Sequence, residues 1–401
     1  MIPKLRFSEF TESWNEVSIG DIATISRGRF SPRPRNDPRY YGGDTEFIQT
    51  SEVVGANPNI LNGSKSLNKE GVKVSKVFPS GTIVMTIAAN IGYVGFANRP
   101  VAFPDSLVGI SAFEDILPKY IYYSLSRKQR RLDYIAEEAA QKNITSPTVR
   151  KFKIWHTRNQ QEQVTLTNFF DLINLKINLL TKKKEALETY KKGLLQKIFS
   201  QELRFKGEDG IDYPDWENFK LSDILIEHKK RSDGSEQVHS VSVHKGVINQ
   251  IEHLGRSFAA KDVSNYNKVL FGDIIYTKSP TGDFPYGIIK QSYVKSAIVS
   301  PLYCVTSPID INIGYLLKWF FESKINVHNY LHPIIQKGAK NTINITNTTF
   351  LSRSLSLPSD KAERQKIKDI YSSLNENLRT LESEISKVTE FKKGLLQQMF
   401  V

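Results

Sequence analysis

The sequence predicts an α+β protein: two globular, α/β-mixed domains joined by two long antiparallel coiled-coil helices, laid out as a pseudo-two-fold internal repeat. Three observations predict it. Motifs of the first half recur in the second at an offset near 201 residues. Each half closes on a proline-free stretch with a heptad seam. The remainder of each half alternates short β-rich runs with helical patches, separated by Gly, Pro, Asn and Ser.

The repeat is most explicit at the end of each half. Lys191-Lys192-Gly193-Leu194-Leu195-Gln196-Lys197-Ile198-Phe199 recurs as Lys392-Lys393-Gly394-Leu395-Leu396-Gln397-Gln398-Met399-Phe400. At that offset of 201, residues 161–199 align with 362–400 without a gap, and 10 of 39 are identical. Upstream, Leu5-Arg6-Phe7 answers to Leu203-Arg204-Phe205, Trp14 and Asp21-Ile22 to Trp216 and Asp223-Ile224, and Asn143-Ile144-Thr145 to Asn344-Ile345-Thr346. Between these flanks the likeness fades. Lys76-Val77, Gly81, Ile83 and Thr86 resemble Lys268-Val269, Gly272, Ile274 and Thr277 only at a shifted offset. Each half therefore has fixed flanks and a free middle.

The helices follow from periodicity. Leu166, Phe170, Ile173, Ile177, Leu180 and Leu187 fall in alternating steps of four and three, with Lys184 at one seam position. Ile367, Tyr371, Leu374, Leu378, Leu381, Ile385 and Val388 repeat those steps, and Pro358-Ser359-Asp360 precedes them as a start signal. Each helix of about 40 residues spans about 60 Å. Gly193 and Gly394 interrupt strong helix formers, so either each helix ends there or two backbones approach closely, and the aromatic that follows in both copies favours close approach. Helix 1 leads from the first globule to the second, so helix 2 must run back along it. The predicted segments are 1–157, 158–202, 203–357 and 358–401: globule, helix, globule, helix. A fragment of residues 1–200 is expected to pair with itself through the exposed seam.

Charge and composition then limit the function. Lys and Arg number 55 against 42 Asp and Glu, a net charge of +13 and a pI near 9.4, which favours a polyanionic partner. No stretch approaches the length of a membrane span, and Met1–Phe7 lacks the apolar core of a signal peptide, so a reducing cytoplasm is expected. The lone Cys304 excludes an internal disulfide and a thiolate zinc cluster. There is no Walker loop, no Gly-x-Gly-x-x-Gly and no His-Glu-x-x-His. His328 and His332 sit four apart but have no third ligand. Pro104-Asp105 and Pro214-Asp215 invite a nuclease reading, yet after Pro214-Asp215 the spacing of Glu217 and Lys220 does not suit a magnesium site. The chain reads as a binding protein with no cofactor of its own.

Candidate nucleic-acid contacts are loops. Residues 26–41 carry five arginines among prolines that forbid a helix interior, and Arg27, Arg29, Arg33 and Arg35 are taken as contacts. Guanidinium forks suit phosphates and the guanine O6/N7 edge. The corresponding place in the second half is Lys229, Lys230 and Arg231, after His228. Two further loop pairs are chosen by position. Asn90 and Tyr93 answer to Lys278 and Thr281; Gln141 and Lys142 answer to Lys337, Lys340 and Asn341. Their amides and cations can address base edges and phosphates.

Together, the duplication, the Lys-Lys-Gly-Leu-Leu-Gln-x-x-Phe helix ends and the Trp…Asp-Ile start of each half resemble the specificity (S) subunits of type I restriction–modification enzymes. The resemblance covers the whole chain. It implies that each globule is a target recognition domain reading one half of a bipartite DNA site, and that the helices are the spacer. It implies two modification subunits and two restriction subunits as partners, which carry the S-adenosylmethionine, ATP and Mg²⁺ chemistry. Dissimilar middles imply an asymmetric target. The alternative is a stand-alone site-specific DNA-binding protein with a coiled-coil arm.

Overall fold

The computed structural model of the chain describes residues 1–56, 61–137, 143–282, 284–337 and 343–401. It divides into two compact units, Met1–Glu185 with Thr380–Val401, and Ala186–Arg379.

The first unit opens with β1 (Asn15–Ser18), α1 (Ile19–Ile22) and β2 (Ala23–Arg27). Then come β3 (Tyr41–Phe47), α2 (Thr50–Val54), β4 (Lys65–Leu67), α3 (Lys69–Lys73), β5 (Val77–Phe78), β6 (Ile83–Thr86), β7 (Val94–Phe96), β8 (Val101–Ala102) and β9 (Leu107–Ala112). Helices α4 (Pro118–Ser126), α5 (Gln129–Glu137) and α6 (Ser146–Lys151) precede β10 (Lys153–His156) and the 40-residue α7 (Gln160–Phe199). An inner sheet has the order β2-β9-β6-β7 and an outer sheet the order β4-β3-β8-β5. Strand β10 returns to pair with β1, from Asn15↔His156 to Ser18↔Lys153.

The second unit repeats this plan with β11 (Glu217–Lys220), α8 (Leu221–Ile224) and β12 (Leu225–Glu227). Its middle holds β13 (His239–Ser242), β14 (Gly246–Asn249), α9 (Gln250–Leu254), β15 (Asn267–Leu270), β16 (Ile274–Tyr276), β17 (Ile289–Gln291), β18 (Ser296–Val299) and β19 (Cys304–Pro308). Helices α10 (Ile311–Phe320) and α11 (Lys324–Leu331), the antiparallel pair β20 (Gln336–Lys337) and β21 (Ile343–Asn344), α12 (Asn347–Leu351) and β22 (Ser354–Leu357) follow, then α13 (Lys361–Met399). The inner order β12-β19-β16-β17 copies that of the first unit, and β22 returns to β11 as β10 does to β1.

Each repeated motif has a structural task. Near the start of α7 a fully buried Glu162 accepts Arg6 Nε at 2.6 Å and Nη2 at 2.9 Å, and the Trp14 indole N–H at about the same reach, 3.1 Å. At the start of α13 the buried Glu363 accepts Arg204 Nε at 2.8 Å and the Trp216 indole at 3.2 Å. A buried carboxylate is tolerated only when paired and hydrogen-bonded, so each node fixes the chain start against its helix. Thr145 and Thr346 cap α6 and α12 by accepting the backbone N–H of Thr148 and Thr349, while Ile144 and Ile345 are buried beside them.

The repeated helix end is a plug. Phe400, with Leu395, Leu396 and Met399, packs among Trp14, Tyr120 and Phe170 of the first unit's core. Phe199, with Leu195 and Ile198, packs on Trp216, Trp319 and the α13 residues Ile367 and Tyr371 in the second. Lys191 donates to Glu322 and Asn375, both at 2.8 Å, and burial pushes the equivalent Lys392 down to about 8.

Within each unit the two helices run antiparallel. In the first, Phe170 meets Phe400, and Lys176 and Lys184 approach Glu384 and Glu382 at 3.5 and 2.9 Å. In the second, Ile198 clusters with Ile367 while Lys191 reaches Asn375. The apolar seam positions face inward to different degrees. Leu166, Phe170, Ile177, Ile367, Tyr371, Leu374 and Leu381 are buried, whereas Ile173, Leu180, Leu187, Leu378, Ile385 and Val388 are half-buried.

The glycines correct the sequence reading. Both helices continue through Gly193 and Gly394, and a Cβ built at either meets nothing within 4 Å among the described residues. No backbone approaches there; the strong helix formers around each glycine carry it.

Candidate nucleic-acid interface

The arginine-rich segment leaves β2 at Arg27 and folds as an irregular loop before β3. Its guanidinium groups are held apart by local acceptors. Arg27 Nε donates to the Asp105 carbonyl at 2.6 Å, and Arg35 Nη2 pairs with the Asp105 carboxylate at 2.7 Å. Arg29 and Ser75 exchange hydrogen bonds, Arg29 Nη2 to the Ser75 carbonyl at 3.0 Å and Ser75 Oγ to the Arg29 carbonyl at 2.8 Å. Arg33 curls onto its own loop, donating to the carbonyl of Pro32 at 2.9 Å. All four arginines remain exposed.

Beside this loop lies a cleft of about 350 Å³, lined by Arg35, Tyr41, Phe47, Gln49, Lys65 and Ser106 among others. Phe47 is buried and Tyr41 half-buried in an aromatic cluster around Phe30, and burial raises the Tyr41 phenol. The Lys65 ammonium lies 5.2 Å from the Tyr41 ring centroid. Sequence reasoning missed Gln49, Lys65 and Asp105 as members of this surface. The signal for Asp105 was present in Pro104-Asp105, but its task here is to hold arginines.

The loop pair with Asn90 and Tyr93, and Lys278 and Thr281, occupies equivalent places after β6 and β16. Both loops leave a buried threonine through a residue in the left-handed region, Ala89 at φ 58° and Lys278 at φ 54°. Thr86 Oγ1 accepts the Tyr93 N–H at 3.0 Å and Thr277 Oγ1 the Ile288 N–H at 3.2 Å. Asn90 and Tyr93 are exposed; Lys278 is half-buried, and burial pushes its ammonium down. Thr281 exchanges backbone hydrogen bonds with Phe284.

In the second unit Lys229 and Lys230 are exposed. Arg231 donates to the Asn265 carbonyl at 2.7 Å, and His228 Nε2 meets the buried Asp273 at 3.0 Å. The backbone of Lys337 lies in β20. Gln141, Lys142, Lys340 and Asn341, and the Lys337 side chain, lie outside the described residues. The loops of Asn90 and Asn143 are joined by a β-bridge between Ala88 and Asn143.

His328 and His332 stack on each other at 4.9 Å beside Tyr286. Among the described residues no group of three metal-ligating side chains occurs, and no helix is long and apolar enough to cross a membrane.

Residues 11–189 match the family model for the type I restriction modification DNA specificity domain. The chain is similar to the type I restriction enzyme MjaIX specificity subunit of Methanocaldococcus jannaschii, 26% identical over 53% of this chain and 52% of that one. The putative MjaX specificity subunit of the same archaeon is 23% identical over 51% of this chain and 46% of the relative. These matches thus span about half the length of the relatives. In fold, the chain resembles the S subunit of a type I restriction–modification system from M. genitalium, with a TM-score of 0.60 and 14% identity over 100% of this chain and 99% of that one. A chain from a structure on complex assembly and conformational transition of the type I R-M system gives a TM-score of 0.53 and 12% identity over 97% and 98%. Residues 11–189 thus match the type I restriction modification DNA specificity domain, and the chain shares the fold of the M. genitalium S subunit along its length.

Proposed function

We propose that the chain is the DNA sequence-specificity subunit of a type I restriction–modification complex. It reads an asymmetric bipartite site and directs adenine methylation or restriction by its partners, without chemistry of its own. The observation that carries this reading is the twofold use of one frame, with the inner sheet order kept and the middle rewritten. A frame repeated with different loops suits two different half-sites. The excess of basic residues supports a DNA partner.

The predicted DNA contacts, the division into 1–157, 158–202, 203–357 and 358–401, and the role of the helices as spacer belong to the same proposal. So do two modification subunits carrying S-adenosylmethionine, two restriction subunits using ATP and Mg²⁺, and a cytoplasmic location. On α7, Leu172, Leu175 and Leu179 share one face and are 66%, 51% and 57% exposed, which supports a protein partner along that helix.

The test is co-expression with the cognate modification subunit, followed by genome-wide mapping of methylated adenines. A split motif that appears only when both proteins are present is expected. Specific DNA binding by this chain with no co-purifying methyltransferase and no methylation favours the stand-alone DNA-binding reading instead.

A further inference from the structure

We infer that the cleft beside the arginine loop of the first unit is a base-reading pocket for the major-groove edge of guanine, and that Asp105 is its resident competitor. The inference rests on the proposed role in DNA recognition and assigns residues within it.

Arg35 stands at the mouth of the cleft with its guanidinium on the Asp105 carboxylate, at 2.7 Å, the two side chains 45% and 49% exposed. An ion pair so exposed contributes little net stability and exchanges readily. A carboxylate presents two acceptor oxygens to a guanidinium, and the O6/N7 edge of guanine presents two acceptors in a similar fork. From the rim of the cleft, Asp105 Oδ1 engages one arm of the guanidinium fork, Arg35 Nη2, and a guanine in the cleft would compete for it. Among the described residues no carboxylate lines the cleft itself; its polar groups are cations, amides and hydroxyls, the lining expected for base edges and phosphates.

The cleft is built rather than incidental. Tyr41 donates its hydroxyl to the Arg35 carbonyl, and Arg27 Nε ties the loop to the Asp105 carbonyl at 2.6 Å. The arginine loop is thus clasped on both sides of Arg35. Gln49 enters from the end of β3, and its side-chain amide is of the type that pairs with a neighbouring adenine. Lys65 on β4, over the Tyr41 ring, is placed for a flanking phosphate. The resident carboxylate makes discrimination sharper: a base without two acceptors on that edge cannot repay the exchange of Arg35 away from Asp105.

The experiment maps methylated adenines in cells that express the full chain with its modification subunit. Arg35→Gln and Gln49→Ala are expected to relax one or two letters within a single half-site, leaving the other half and the spacing unchanged. Methylation of sites that differ at those letters should rise about tenfold or more over the unaltered protein. An unchanged motif at full efficiency, or altered letters in both halves, overturns the assignment. Where a variant is not recovered as soluble protein, Asp105→Asn decides, since it removes only an exposed carboxylate. It should add near-cognate sites differing at the letter read by Arg35, and an unchanged motif there overturns the assignment too. If the unaltered chain itself yields no split motif, the functional reading fails first, an outcome distinct from failure of the cleft alone.

Discussion

The outer layers of the two units differ where their inner sheets agree. In the first, β4-β3-β8-β5 form one continuous sheet, with β3 and β8 parallel. It is backed by buried Phe30, Phe47, Phe78 and Phe103. In the second, the same layer is reduced to two pairs, β13-β14 and β15-β18, joined by a parallel bridge between Val238 and Ile298. Its small cluster of Val269, Ile275, Val299 and Val305 contains no buried aromatic. The Glu–Arg–Trp nodes and the aromatic plugs that hold the long helices recur in both units alongside the retained inner sheets. The outer layer carries no such duty and is free to diverge.

The sharpest way to break this comparison is to remove the nodes. Glu162→Ala strands Arg6 and the Trp14 indole in a fully covered site and should cost about 3–5 kcal/mol in urea unfolding followed by tryptophan fluorescence. Glu363→Ala should cost less, because the Arg204 side chain is 22% exposed against 8% for Arg6, so water relieves the stranded charge. Equal costs would mean that the nodes are not graded by burial. A smaller difference is expected in hydrogen exchange. Amides paired between β13 and β14, a hairpin with no buried residue, should exchange about tenfold or more faster than those between β3 and β4. The smallest effect is a gain: Gly193→Ala and Gly394→Ala should each stabilise by about 0.5–1 kcal/mol in the same unfolding measurement. Two gains of similar size would show that the helix ends remain equivalent where the outer layers do not.

What was legible in the sequence was local or repeated. The heptad steps of Leu166 to Leu187 show themselves within one helix, and the duplicated motifs mark the frame. Sheet order was not legible, because β2 finds β9 some eighty residues away and nothing local encodes that pairing. Glu162 looks like any polar residue on a helix surface and was missed; its identity with Glu363 at the repeat offset was the one signal that could have found it. The cleft was half visible. Arg35 stands out in an arginine run, but Gln49 and Lys65 line the cleft, and Asp105 meets Arg35, from three other segments. The glycines misled because a helix tolerates one where its neighbours are strong formers.

The plug formed by Phe400 bears on how the protein is made. The first unit takes its closing helix turn from residues 380–401, almost two hundred positions downstream of Glu185. On the ribosome, Trp14, Tyr120 and Phe170 must wait, uncovered, until that stretch emerges, while the second unit has all its own parts first. Translation thus supplies every part of the later unit before the last part of the earlier one.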